Sequence, residues 1–451
     1  MFRTTLVAAA LAAACSSAAL AAVTADEAKQ LGTTLTPVGA ERAGNKEGTI
    51  PEWTGGLTSP PAAPPKGGNL ADPFAADKPR LTITGKDVAA HADKLTAGTQ
   101  ELLKRYPTMK VEVYPTRRPM VFPKRIVDNI AKNATGAKSV EGGLGVEGAL
   151  PGTPFPIPKT GNEVMWNHIL RYEGFALQGK YDNWNVDSAG VATLALTAEL
   201  FAEYPVFNPA KTDVMAPTDP YLRLKLLYQA PARRAGEALM VFDSVNPIAQ
   251  PRRAWQYLPG QRRVKLAPDI AYDTPNPGSA GLATYDDAFI FNGAQDRFDF
   301  KLVGKKEMYI PYNNYRVRAT KDPKEIVMAG HLNPALMRWE LHRVWVVEAT
   351  LKPGKRHIYA KRVFYIDEDS WVAVSSDEYD ARGQLFVSGM SGLILNYTGP
   401  AVDANNYTFY NFTVGAYTSS GLTGAYGIYR YVEPFSPASW SAEALAGAGI
   451  R

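Results

Sequence analysis

The sequence predicts an α+β protein organised around one large, curved antiparallel sheet with a few helices. Three observations predict it. From residue 174 onward, apolar residues recur with period two in about ten short runs separated by turn residues. Helical periodicity is confined to three stretches before that point. Strands and helices do not alternate along the chain, which excludes a parallel α/β sheet.

The N-terminus, MFRTTLVAAALAAACSSAALAAVTADEA, has a positive start at Arg3, an apolar run and a small-x-small site at Ala19-Leu20-Ala21. This is the pattern of a secretory signal over residues 1–21, with cleavage expected after Ala21. Cys15 offers a second route, processing as a lipoprotein. A lipobox has a branched apolar residue three positions before its cysteine, and here that position is Ala12. Removing 21 of 451 residues leaves 430 and lowers the net charge from +5 to +4, because Arg3 is the only charge removed. The remaining chain has no cysteine, hence no disulfide and no thiol chemistry, and stability must come from its core. The charge is mild and diffuse and names no anionic partner. Without a wider basic stripe, nucleic-acid binding is excluded as a function class. No later run approaches the roughly 18 apolar residues of a membrane helix.

Residues 22–160 read as an extended strap followed by two helices, and residues 161–451 as the sheet domain. The strap, TPVGAERAGNKEGTIPEWTGGLTSPPAAPPKGG, is rich in Gly and Pro, and Ile50, Trp53 and Leu57 give it apolar anchors. A helix is predicted over 84–106, capped by Thr84 and stopped by Pro107, with Val88, Leu95, Leu102 and Leu103 as its stripe. A second is predicted over 123–133, opening on Pro123. A third is predicted over 162–173, NEVMWNHILRYE, burying Val164, Met165, Ile169 and Tyr172.

The strands follow. YLRLKLLY sets Leu222, Leu224 and Leu226 against Arg223 and Lys225. RFDFKL and HRVWVVEATLK alternate in the same way, the latter placing Trp345, Val347, Ala349 and Leu351 on one face. KRVFYIDEDSWVAVSSDEY reads as a hairpin turning at Asp367-Glu368-Asp369-Ser370. In AWQYLPGQRRVKLAP, Leu258-Pro259-Gly260-Gln261 fits a type II turn, since Pro sets φ at the second position and Gly accepts a positive φ at the third. Trp255 and Tyr257 then share a face with Val264 and Leu266, while Arg263 and Lys265 point away. The basic set Arg252, Arg253, Arg262, Arg263 and Lys265 reads as a solvated face, with headgroup contact by Arg262 or Arg263 as the sharper alternative.

Sequence motifs for chemistry are sparse. Gly143 to Gly148 satisfies GxGxxG, but a dinucleotide fingerprint needs a strand before it and a helix after it, and here loops rich in Gly and Pro surround it. There is no P-loop, zincin motif or nucleophile elbow. His91, His168, His331, His342 and His357 are scattered, and the acidic run at 367–369 lacks calcium-loop spacing. No catalytic residue, metal or cofactor is therefore assigned. The remaining signal is aromatic: 8 Trp, 23 Tyr and 17 Phe, many alternating on strands, where a strongly curved sheet leaves room for an apolar guest.

The blocks LTPVGAERAGNKEGTIPEWTGGL, DPFAADKP, YPTRRP, VEGGLGVEGALPGTPFPIPKTGNEVMWNHILRY, AWQYLPGQRRVKLAPDIAYDTPNPGS, GKKEMYIPYNNY and KRVFYIDEDSW together resemble a family of exported Gram-negative proteins catalogued as domain of unknown function 1329. The resemblance spans nearly all of the mature chain. It implies the fold of the lipoprotein carriers LolA and LolB, an open half-barrel whose helices lid a hydrophobic cavity on the concave face. Those carriers are much shorter, so residues 22–160 are an addition.

By that resemblance the protein is expected in the periplasm. It is expected to bind or carry a hydrophobic, lipid-like ligand with a resistance-nodulation-division permease and an outer-membrane partner, touching membranes only peripherally. The helix at 162–173 would lie inside the half-barrel with Trp166 as a lid residue. Phe242, Trp255, Tyr257, Trp345 and Phe364 are the candidate cavity walls. The rival expectations are a periplasmic hydrolase of an envelope lipid and an adaptor with no small ligand.

Overall fold

The computed structural model describes residues 23–449; the expected signal at 1–21 and Cys15 lie outside them. Besides a one-turn helix at Ala25–Ala28, three helices precede the long strands of the sheet: α1 (Ala97–Arg105), α2 (Lys124–Gly136) and α3 (Gly161–Ile169). The first half of the sheet is β1 (Ala176–Val186), β2 (Ala192–Glu203), β3 (Pro220–Ala230), β4 (Ala238–Ser244), β5 (Arg253–Leu258) and β6 (Arg263–Leu266). The second half is β7 (Phe298–Pro311), β8 (Trp339–Leu351), β9 (Lys361–Asp367), β10 (Ala373–Tyr379), β11 (Leu385–Ser391), β12 (Tyr407–Asn411) and β13 (Ala416–Leu422). A terminal helix, α4 (Ala442–Gly449), closes the chain.

Each half is an antiparallel meander of sequence neighbours, and β13 pairs with β1 to join the halves into one sheet running from β7 to β6. Short strands at Leu81–Ile83, Val111–Val113 and Arg430–Tyr431 bring the sheet to 16 strands. β7 and β6 do not pair, so it does not close into a barrel. The predicted antiparallel sheet with few helices is the observed fold. The strands beyond those read from the sequence are the two long ones β1 and β2, in a stretch where no alternating run was singled out, and short segments, two of them inside the N-terminal region, where pairing partners rather than periodicity create the strand.

The helices differ from expectation at their ends. The stretch 84–106 divides into a 3₁₀ segment, Val88–Lys94, and α1. Thr96 caps α1 by accepting from Thr99 N–H, and Gln100 Nε2 donates to the carbonyls of Ala92 and Leu95, fixing the break. Helix α2 runs three residues past the expected 133, to Gly136. Helix α3 is shorter than expected: a capping box of Thr160 and Glu163 starts it, and it ends at Ile169, where Arg171 Nη1 donates to the His168 carbonyl.

Helix α1 docks end-on against the sheet. The carboxylate of Asp377 on β10 accepts from the N–H groups of Ala97 and Gly98 at 2.9 and 2.8 Å, the placement that orphan donors and the helix dipole favour. A Cβ at Gly98 would lie 2.0 Å from Ser388 Oγ and 2.7 Å from Asp377 Oδ1. Gly98→Ala is therefore expected to destabilise the fold by about 1–3 kcal/mol, measured as a lowered urea midpoint.

The 258–263 hairpin is two residues longer than a type II turn. Leu258 pairs with Arg263, leaving four residues between the strands. Pro259–Gln261 form a 3₁₀ turn and Arg262, not Gly260, takes the left-handed conformation at φ 49°. The register places Val264 opposite Tyr257 and Leu266 opposite Trp255, so the predicted sharing of a face holds. Residues 143–148, the GxGxxG stretch, belong to a two-stranded ribbon pairing 138–140 with 145–147.

The strap lies on the sheet. Ile50 is buried, the Val38 carbonyl accepts from Trp371 Nε1, and Arg118 Nη1 and Nη2 donate to the carbonyls of Glu41, Arg42 and Pro51. No helix among the described residues is long and apolar enough to cross a membrane.

Candidate functional site: a hollow between the sheet and its roof

The register assigns side chains to faces. Leu200 pairs with Leu226, Leu226 with Leu239, and Leu224 with Val241. These residues, with Leu196 and Leu222, form a leucine-rich floor. Residues 268–294 cross above it as a roof. Between floor and roof lies a cavity of about 90 Å³, walled also by Tyr407 on β12 and Ser420 on β13. Strands as far apart as β4 and β13 line this one space, which requires the sheet to curl around it. A second cavity of about 220 Å³ adjoins it, lined by Trp166 and Ile169 of α3, Tyr221 of β3 and roof residues from Pro268 to Ala294. Arg252 lines both.

Polar contacts from five side chains hold the roof. Arg252 Nε and Nη2 donate to the two carboxylate oxygens of Asp243 at 2.7 and 2.8 Å, and Nη2 also donates to the Asn292 carbonyl. Tyr221 OH donates to Asn292 Oδ1 at 2.7 Å. Farther along, Arg362 Nη2 donates to Asp287 at 2.7 Å, Tyr359 OH donates to Asp287 at 2.9 Å, and His357 Nε2 lies 3.0 Å from Asp286. Burial alone would raise Asp286, and the charge of Arg362 with the His357 contact outweighs it, holding the carboxyl below its usual range. Burial pushes Glu378, also beside Arg362, well above its usual range. Between these ties Phe289 and Ile290 sit at φ 57° and 73°. A left-handed conformation at a β-branched residue is strained and persists only where its surroundings enforce it.

The other half of the same face is filled. Phe364 on β9 is fully buried, 5.5 Å from the ring of Phe291 and stacked at 6.4 Å on Phe300. Trp345 on β8 stacks on Trp371 at 6.2 Å, with Lys305 Nζ 4.6 Å from its ring centroid. His168 of α3 accepts from Ala373 N–H at Nδ1 and sits 3.1 Å from the Phe291 carbonyl through Nε2; burial pushes its pKa well below the usual value, so it stays neutral. Open space is thus left under β1–β4, while β8–β10 carry packed aromatic core.

Trp166, expected as a lid residue, lines the second cavity, with its Nε1 donating to the Gly143 carbonyl at 2.8 Å. Trp345 and Phe364 lie in the packed half. Phe242, Trp255 and Tyr257 face the opposite side of the sheet. There they pack under the C-terminal segment: Phe242 meets Trp255 at 5.1 Å and Trp440 at 6.1 Å, and Tyr257 clusters with Met240 and Leu445. On that face of β5 and β6, Trp255, Tyr257 and Val264 pack beneath the C-terminal segment that includes α4, while Leu266 stays exposed. Arg262 and Arg263 stand exposed at the hairpin tip, away from both cavities. Arg252 departs from the solvated set: it is half-buried and committed to Asp243. The floor residues Leu222, Leu224 and Leu226 were visible as one strand face, but nothing in the sequence marked that face as the unfilled one.

Neither cavity is lined by a histidine. Elsewhere, His342, Asp367 and Asp369 bring possible metal donors within 4.8 Å of one another. The acidic turn predicted at 367–370 is buried, and Arg118 and Trp371 tie it to the strap. Arg118 holds Asp369 through two bonds of 2.8 Å, while Asp367 Oδ2 accepts from Tyr312 OH and from Ser370 N–H and Oγ–H. Burial, reinforced by the charge of Asp369, pushes Asp367 up to about 6. With Asp369 occupied by a guanidinium, the cluster is an ion-pair network pinning strap to sheet.

The chain is 43% identical over 441 residues to the uncharacterized protein PA3922 of Pseudomonas aeruginosa, covering 96% of this chain and 95% of that one. A solved DUF1329 family protein from Desulfovibrio piger aligns at TM-score 0.41 and 15% identity, over 60% of this chain and 92% of its own. A LolA superfamily protein from Nitrosomonas europaea aligns at TM-score 0.37 and 9% identity, over 64% of this chain and all of its own. The sequence signature of the protein of unknown function DUF1329 matches residues 82–446, and the chain belongs to that family.

Proposed function

We propose that the protein is a binding or carrier protein that holds an apolar molecule in the hollow under its roof. The observation that carries this reading is open space between a leucine floor and the roof that covers it. Size narrows the guest. A dry cavity of about 150 Å³ accepts one benzene. The two adjoining spaces, at about 90 and 220 Å³, match a small apolar molecule or one acyl chain as they stand. A lipoprotein with several acyl chains needs the roof to lift.

The leader pattern at residues 1–21 supports a periplasmic site of action, and the family resemblance supports cooperation with a resistance-nodulation-division permease and an outer-membrane partner. The exposed Arg262 and Arg263 give the β5–β6 tip a cationic end suited to anionic headgroups at a membrane surface.

Native mass spectrometry of protein released gently from the periplasm, without detergent, tests the reading. One small apolar adduct per chain is expected, removable by solvent extraction, and the extracted protein should then take up N-phenyl-1-naphthylamine. Adduct-free protein in every preparation, together with no dye uptake, would sink the carrier reading.

A further inference from the structure

The hollow carries polar groups that a purely hydrocarbon guest would leave unused. Tyr181 on β1, Tyr228 on β3, Tyr285 in the roof and Tyr429 all line the first cavity. Tyr181, Tyr228 and Tyr429 are buried and Tyr285 nearly so. Among the described residues, none of the four hydroxyls has a hydrogen-bond partner. Their rings are fixed by packing: Tyr181 meets Tyr429 edge-on at 6.4 Å, and the Arg234 guanidinium lies 4.6 Å from the Tyr228 ring centroid. Burial raises all four above the usual phenol range, so each is a neutral O–H donor at physiological pH. Each hydroxyl is open to free space rather than sealed in packed core, and the cavity its residue lines is where a partner would sit.

The charges around the space are already matched. Arg252, the one charged residue lining the first cavity, is held by Asp243. Arg234, behind Tyr228, is held by Glu237 at 2.8 Å. The roof acids Asp286 and Asp287 face Arg362. An anionic headgroup entering here would lose its hydration and meet no free cation.

Resting on the reading that the hollow holds an apolar guest, we propose that this guest is uncharged and carries an oxygen acceptor, a hydroxyl, carbonyl or ether, bound by the hydroxyls of Tyr181, Tyr228, Tyr285 and Tyr429. The site then selects against fatty-acid anions of the same chain length.

Competition between matched ligands tests this on the full mature chain, stripped of co-purified material and loaded with N-phenyl-1-naphthylamine. At pH 8, 1-dodecanol is expected to displace the dye at a concentration at least about tenfold lower than dodecanoate. The Y181F/Y228F/Y429F variant keeps the rings and removes the donors. It should lose about five- to tenfold in the ratio of dodecanol affinity to dye affinity. Y181F alone repeats the measurement if the triple variant does not fold. Dodecanoate competing as well as dodecanol, or an unchanged ratio of dodecanol to dye affinity in the folded Phe variants, would overturn the proposal while leaving the hollow an apolar site. A chain that binds neither dye nor alcohol overturns the carrier reading and this proposal together.

Discussion

Leu224→Trp is expected to remove ligand binding while leaving the protein folded. Leu224 is a partly open residue of the floor, on the strand face that looks into the first cavity. An indole there occupies space now empty. A guest that forfeits about 100 Å² of apolar contact loses about 2.5 kcal/mol, roughly a 70-fold drop in affinity. The stability change should stay within about 1–3 kcal/mol, because the new ring enters a void rather than packed core. Dye titration and urea unfolding of the same preparation give both quantities. Phe242→Leu supplies the contrast. Phe242 packs against Trp255 and Trp440 on the far side of the sheet, so that variant should lose stability and keep its affinity within about twofold. The reverse pattern, binding lost in Phe242→Leu and kept in Leu224→Trp, would place the ligand on the wrong face for the hollow described above.

Arg362→Met should produce the largest loss of stability, about 3–5 kcal/mol. The guanidinium is fully buried among Asp286, Asp287 and Glu378 and lies 4.9 Å from the Phe364 ring centroid. Met can fill the aliphatic volume but leaves acidic groups buried without a cation, and that uncompensated burial is the source of the cost. The effect should concentrate in the roof. Asp286 and Asp287 are the roof's ties to the second half of the sheet, and the left-handed Phe289 and Ile290 follow after one intervening residue, Ala288. Released, that strained stretch is expected to relax and become sensitive to limited proteolysis within residues 268–294 before the sheet unfolds. Arg362→Lys should recover only part of the loss, since one ammonium cannot reproduce a fork spanning two carboxylates. A Met variant that unfolds within about 0.5 kcal/mol of wild type, with an intact roof under protease, would show that the clamp does not hold.

The sheet was legible because its signal is local. Alternation in YLRLKLLY, RFDFKL and HRVWVVEATLK follows from side chains leaving a strand on alternate sides, and this holds whatever lies above the sheet. The family was legible because its blocks are long and specific. The break before α1 was not, because it is set by Thr96 and by the side chain of Gln100 reaching back to Ala92 and Leu95, a competition that periodicity does not display.

The amino-acid sequence by itself determined that there are two sheet faces and which residues share each one; the register of Trp255 with Leu266 and Tyr257 with Val264 is a case. Only the tertiary structure decided what covers each face. It put α4 over Phe242, Trp255 and Tyr257, aromatic rings over Phe364, and a roof standing clear of Leu222, Leu224 and Leu226. The physical reason is that apolar character records only that a side chain avoids water. Whether helix, loop or guest provides the shelter depends on segments distant in the chain, and those meet only when the sheet has curled.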